Sequence, residues 1–289
     1  MPKSIHVAGM LHPLRVWFLA FAAFFDVLAS AANDMPLFDA HIHYSADART
    51  TYTTDDVFKI FDRAGIDRAL VSSTPNEGTL ALYQRNPRRI VPELRPYRTR
   101  ADKESWFLDP SIIEFMEQEI KSGIYRAIGE FHLSSGQADT PVVRRIVALA
   151  IERDIPLHAH SDDGAIRELF AINPKVKILW AHAGMTASAE VIGAMLERYP
   201  TLWVELSLRN SDIAPDGRLD PAWRAAFLRY PGRFVIGTDT WVTPRWETVE
   251  AESRAARAWL AQLPREVAEQ IAYRNGARMF PANTATGSR

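Results

Sequence analysis

From residue 35 onward, short apolar runs alternate with amphipathic stretches. The runs are PLFDAHIH, DRALVSST, RIVPELRP, YRAIGEFH, DIPLHAH, VKILWAHAG, LWVELS and RFVIGTD. Each is nearly continuous in its apolar character, the pattern of a strand buried on both faces in a parallel sheet. The stretches between them read as helices. In TPVVRRIVALAIERD, Thr140 is placed as an N-cap and Pro141 at the first helical position. Val143, Ile146, Val147 and Ala150 then form one stripe, with Arg144 and Arg145 beside it. SAEVIGAMLERYP opens on a Ser188 cap and carries Val191, Ile192, Met195 and Leu196 inward. TTDDVFKIFDRAG begins at a Thr-Asp start and stops at Gly65.

Strand-helix units repeated over roughly 250 residues predict a single α/β domain, a (β/α)8 TIM barrel spanning 32–289. A doubly wound open sheet is the competing architecture. It places its ligand at a glycine-rich first turn, whereas YSADARTT after the first strand has no glycine.

The polar residues cluster where the strands end. His41 and His43 close the first strand, Glu130 and His132 the fourth, and His158 and His160 the fifth. His182 closes the sixth, Glu205 the seventh and Asp239 the eighth. In a barrel these ends converge on one mouth, where active sites are built. Strand alternation puts Asp39, His41 and His43 on one face. It likewise groups Ile178, Trp180 and His182, and Val235, Gly237 and Asp239. Imidazole nitrogen and carboxylate oxygen suit zinc, manganese or iron. The alternative is a set of core histidines, each of which would need a buried partner.

Composition narrows the chemistry. A formal net charge of -1 with 24% charged residues offers no basic excess for nucleic acid. The absence of cysteine removes disulfides, thiolate zinc sites, a cysteine nucleophile and a lipidated cysteine anchor. Residues 1–31 read as a signal peptide: Lys3 and Arg15, the uncharged run Val16 to Phe25, then Ala29 to Ala31. The run is short for a membrane span. The expected location is periplasmic or secreted. A start at Met35 would instead make the protein cytoplasmic.

The H-x-H of the first strand, histidines on the fifth and sixth strands and GTD on the eighth together resemble the amidohydrolase superfamily, specifically its amidohydrolase-related branch. The closing IAYRNGARMF is similar to that branch's last helix. The resemblance implies that His41, His43 and His160 bind metal, His160 lying four residues after Pro156. It implies that His182 stands near substrate and that Asp239 binds metal and moves protons. YRAIGEFH lacks the lysine that bridges two metals in some members and has Glu130 there, as TatD-type deoxyribonucleases do. One divalent ion is expected, Zn2+ foremost with Mn2+ or Fe2+ as alternatives, and Glu130 is held ready for a second.

Further residues are weighed individually. His158 faces the same way as His160 one layer deeper, and Asp39 is expected to orient an imidazole. Arg95, Glu205 and Trp241 are the candidates for substrate contact, with bracing a metal ligand as the second role open to Glu205. Arg98 and Arg100 are equally compatible with a solvated loop. Trp246 and Arg245 either roof the pocket or pack below it.

The implied reaction is hydrolysis of an amide, ester or lactone in a small organic substrate. The metal activates water, and Asp239 relays the proton to the leaving group. A decarboxylase of the same superfamily uses the same ligands. A TatD-like nuclease and a non-catalytic exported binder are the remaining alternatives. Oligomeric state is not legible.

Overall fold

The computed structural model describes residues 35–282. The proposed signal peptide lies outside the described residues. Strands β1 (Leu37–His43), β2 (Ile66–Ser72), β3 (Ile90–Leu94), β4 (Ala127–Leu133), β5 (Leu157–Ser161), β6 (Ile178–Trp180), β7 (Leu202–Glu205) and β8 (Phe234–Val235) form one parallel sheet in sequence order. Backbone bonds from Ala40 N to Ile236 O (2.9 Å) and from Asp239 N to His41 O (2.8 Å) join the first strand to the segment of the eighth. A helix follows each strand: α1 (Thr54–Ala64), α2 (Glu77–Arg85), α3 (Ser111–Glu119), α4 (Pro141–Glu152), α5 (Asp163–Ile172), α6 (Ala189–Arg198), α7 (Pro221–Arg229) and α8 (Val249–Leu260). This is the (β/α)8 barrel that the alternation of patterns predicts. No helix among the described residues is long and apolar enough to cross a membrane.

The helix signals act as expected. Thr53 and Asp56 make a reciprocal capping box on α1, and Gly65 ends that helix at φ +64°. Thr140 accepts a hydrogen bond from Val143 N at 3.2 Å, with Pro141 following it. Ser188 caps α6. Val191 differs from expectation: it is exposed rather than part of the buried stripe, because Ile192, Met195 and Leu196 already fill that face.

The core has two parts. The larger part packs the outward faces of the strands against the helices. The smaller fills the barrel with Phe38, Ala40, Leu70, Val91, Ala127, Leu179 and Val235, and Phe280 caps it from below. The Phe280 ring stacks on Phe38 with centroids 5.8 Å apart. Phe280→Ala is expected to lower stability by about 3–5 kcal/mol, read from urea or thermal unfolding, because the buried ring that floors the barrel beneath Phe38 is lost.

Candidate active site

Two strand irregularities aim the chemistry. In β1, Asp39 pairs with Ala69 and Ile42 with Val71, so Ala40 and His41 together oppose Leu70. The extra residue turns His41 inward beside His43, which pairs with Ser72. Asp39 falls on the other face. Its carboxylate accepts from the backbone of His41 (3.0 Å), the backbone of Thr238 (3.1 Å) and the Thr238 hydroxyl (2.6 Å). It staples β1 to the segment after β8 and orients no imidazole, which corrects the strict alternation. Burial pushes its carboxyl up to about 7. Strand β4 uses the same device. Gly129 pairs with His158 and Phe131 with Ala159, leaving Glu130 as the extra residue. Gly129 has φ +147°, and a Cβ there would collide with the His158 carbonyl, so only glycine fits.

His182 and Asp239 reach the mouth differently from the expected strand alternation. Strand β6 ends at Trp180 and β8 at Val235. Ile178 and Trp180 pack outward, while Leu179 and Val235 point into the barrel. Beyond the strand ends, His182 has φ +54° and Asp239 φ +55°. Left-handed backbone costs such residues roughly 1–2 kcal/mol each, so the surroundings must hold it. Part of that hold is the bond from His182 N to Glu205 Oε2 at 3.0 Å.

At the centre, His41 Nε2 and His43 Nε2 lie 3.0 Å apart. Glu130 approaches them at 3.5 and 3.2 Å, and Asp239 Oδ1 at 3.7 and 3.4 Å. Glu130 Oε1 is also 2.9 Å from His160 Nδ1 and 3.3 Å from His182 Nε2. Among the described residues the donors form three groups: His41, His43 and Glu130, and Glu130, His160 and His182, which share Glu130, with His41, His182 and Glu205 beneath them. His160 stands with Glu130 and His182 rather than beside the first-strand pair.

A layer of braces lies beneath. Glu205 Oε2 accepts from His41 Nδ1 at 2.9 Å, and Ser207 Oγ is 3.0 Å from Glu205 Oε2 and 2.8 Å from His182 Nδ1. Ser72 Oγ lies 2.9 Å from His43 Nδ1, and Thr240 Oγ1 accepts from His43 N at 2.8 Å. Glu205 is 0% exposed and holds His41 and the His182 backbone, so of its two expected roles it takes the brace and not substrate contact. His158 sits one layer down, paired with Glu93 at 3.1 Å. His132 stacks on His160 with centroids 4.2 Å apart. The sequence reading passed over Ser72, Ser207, Thr240 and Glu93. Their signal was position: Ser72 ends β2, and Ser207 lies two residues past Glu205.

The electrostatics express one demand. Burial opposes a charge on His41, yet Asp239, Glu130 and Glu205 outweigh it and raise its pKa well above the imidazole range. Glu130 is buried, but His41 and hydrogen bonds from His160 and His182 hold it well below the carboxylate range. Glu205, also buried, is brought down to about 2, chiefly by His41. Burial lowers His43, with Arg95 adding to the effect, and burial lowers His132 to about 3. Asp239 Oδ1 is buried with no hydrogen-bond partner. Crowded carboxylates, imidazole nitrogens and an orphaned oxygen together call for positive charge at their centre. The donor set fits a divalent cation.

At the rim, Arg95 donates from Nε to the Glu130 carbonyl (2.8 Å), and its Nη2 is 3.4 Å from Glu130 Oε2. Arg98 is instead taken up by Asp102 and Asp109. Trp241 is 55% exposed beside Asp239, whereas Trp246 is buried against Tyr44 and Phe61.

The family model Amidohydro_2, amidohydrolase, matches residues 123–282, more than half of the 289-residue chain. The chain belongs to the amidohydrolase family. It is accordingly an enzyme of the amidohydrolase type, a metal-dependent hydrolase, and the match takes in Glu130, His160, His182 and Asp239. No curated protein matches the chain. Among solved structures, it is similar to a probable 2-pyrone-4,6-dicarboxylic acid hydrolase from Acinetobacter baumannii with citric acid bound. Identity is 13%, coverage 85% of this chain and 99% of that one, and the TM-score 0.59. A Pseudomonas putida structure named for the same hydrolase gives 13%, 85%, 97% and 0.57. A TatD family hydrolase from Entamoeba histolytica gives 13%, 85%, 99% and 0.51. At such identity these structures attest the shared fold.

Proposed function

We propose that this amidohydrolase cleaves an ester, lactone or amide bond in a small organic molecule that carries a carboxylate. The observation that carries the reading is Asp239 Oδ1. It is buried, has no hydrogen-bond partner and lies 3.4 Å from His43 Nε2. His41, His43, Glu130 and Asp239 would hold a divalent cation, Zn2+ foremost. Glu130, His160 and His182 offer a second donor group. Such a cation lowers the pKa of water and polarises a carbonyl oxygen.

The chain's own residues supply the rest. The Asp239 carboxylate, with Oδ1 turned to the cation site, accepts the proton of the attacking water on its other oxygen and returns it to the leaving oxygen or nitrogen. Ser207 at Nδ1 sets the ring orientation of His182, whose Nε2 faces the reaction centre and steadies the substrate carbonyl. Burial of this constellation excludes bulk water, which strengthens each charge interaction. Arg95, stacked over Tyr97 at 4.7 Å and turned to Glu130 through Nε and Nη2, offers its Nη1 edge to the substrate carboxylate. Trp241 covers an apolar part of the substrate at the rim.

The test is elemental analysis of purified protein, followed by a panel of nitrophenyl esters, anilides and carboxylated lactones before and after chelation. About one tightly held equivalent is expected, with turnover lost on chelation and restored by Zn2+. A second equivalent would belong to Glu130, His160 and His182. Protein that takes up no metal from supplemented medium would overturn the reading. Carbon dioxide release from a ring carboxylate, without hydrolysis, would replace it with decarboxylation.

A further inference from the structure

The positive-φ residues that present the reaction centre raise a question: what holds them? Neither His182 nor Asp239 lies in the sheet, and both adopt left-handed backbone. Ala183, Gly184 and Met185 continue with positive φ, so that segment is held by few ladder bonds.

Two buried or half-buried arginines meet these segments. Arg209, just past β7, is 4% exposed. Its Nη1 donates to the carbonyls of His182 (3.1 Å) and Ala183 (3.0 Å), and its Nη2 to that of Ala187 (2.9 Å). Asp212 fixes the fork at Nε (2.6 Å), and Trp223 lies under it at 5.2 Å. Arg245 follows β8. Its Nε donates to the Asp239 carbonyl at 2.6 Å and its Nη2 to the Thr238 carbonyl at 2.8 Å. The two forks are linked. Glu252 lies 3.7 Å from Arg245 Nη2 and accepts from the side chain of Asn210, next to Arg209, at 2.8 Å.

We propose that Arg209 and Arg245 are positioning residues: each grips the backbone carbonyl of one reactive side chain and holds it in the left-handed conformation that aims it at the centre. The proposal rests on the reading of Asp239 as a cation ligand and base. Arginine is required because its planar fork satisfies two carbonyls at once, which an ammonium point charge does not do with the same fixed geometry. Neither guanidinium is hydrogen-bonded to the central carboxylates, so their action is through the backbone.

Co2+ titration of the full chain, followed by visible absorption, tests Arg245. Arg245→Met is expected to weaken Co2+ binding about 10- to 100-fold, the range for outer supports of metal ligands, and to alter the absorption bands. Arg245→Lys should stay close to Arg245→Met, since it keeps the charge and loses the fork. Arg63→Met, which removes an exposed pair with Glu250 at 2.7 Å, should leave binding unchanged. Recovery of wild-type affinity and bands in Arg245→Lys would overturn the fork. If Arg245→Met does not fold, Glu252→Ala carries the test, with a smaller weakening expected and unchanged binding overturning the proposal. For Arg209→Met, the ring nitrogen signals of His182 in 1H–15N spectra should move while those of His41 stay, and an unmoved His182 would remove Arg209 from the proposal. Wild-type protein that binds no Co2+ would overturn the metal reading instead. Wild-type binding with unaffected variants would overturn only the clamps.

Discussion

Asp239→Asn is expected to cut turnover about 10²- to 10⁴-fold while most of the metal stays bound. The substitution keeps the size of the side chain and one oxygen, and it removes the ability to accept a proton. In the structure Asp239 Oδ1 has no hydrogen-bond partner, and the residue is buried. Few groups could take over its task. His41 and His43 present their Nε2 atoms to the same centre, and Glu130 is engaged with His160 and His182. The variant's backbone should remain in place, because Asp239 N still donates to His41 O and Arg245 still grips the carbonyl. The measurement is kcat for a hydrolysed ester or lactone, with metal content determined on the same sample. Near wild-type turnover at full occupancy would move the base role to another group.

His41→Ala should abolish tight metal binding and also destabilise the metal-free protein, by about 3–5 kcal/mol. Both effects follow from where the ring sits. Nε2 faces His43, Glu130 and Asp239, and Nδ1 donates to Glu205. Removing it leaves the Glu205 carboxylate buried without its main compensating imidazole, and opens a gap beside His158, whose ring is 4.6 Å away. His160→Ala makes a useful contrast. That side chain is 28% exposed, so its loss should disturb the metal groups with a much smaller cost in unfolding free energy. Urea unfolding of the metal-free forms and metal analysis separate the two effects. Equal stability of His41→Ala and wild type would show that Glu205 does not depend on this pair.

The order of strands and helices was legible because each element advertises itself locally. Thr53, Thr140 and Ser188 stop their helices' orphan amides from going unpaired, and the apolar runs between them have nowhere to bury except a two-sided sheet. The candidate residues were legible because they sit at the ends of those runs. His41, His43, Glu130, His160, His182 and Asp239 all come to one mouth. The strand alternation used to orient them was less secure. It put Asp39 beside the imidazoles and carried β6 and β8 too far.

By itself, the sequence determined the barrel, the end of the barrel that carries the chemistry and the kind of atoms gathered there. These depend on local patterning and on the identity of side chains. Tertiary structure alone decided that Asp39 turns away from the imidazoles and that Glu130 reaches the centre between them. A single extra residue in β1 and another in β4 reverse the alternation, and such a bulge exists only relative to the neighbouring strand that it fails to match. It also decided that Glu205 lies beneath the centre, and that Arg209 and Arg245 reach the carbonyls of His182 and Asp239. Those partners are far apart along the chain or separated by turns, and they meet only once the sheet has closed and the left-handed turns have formed.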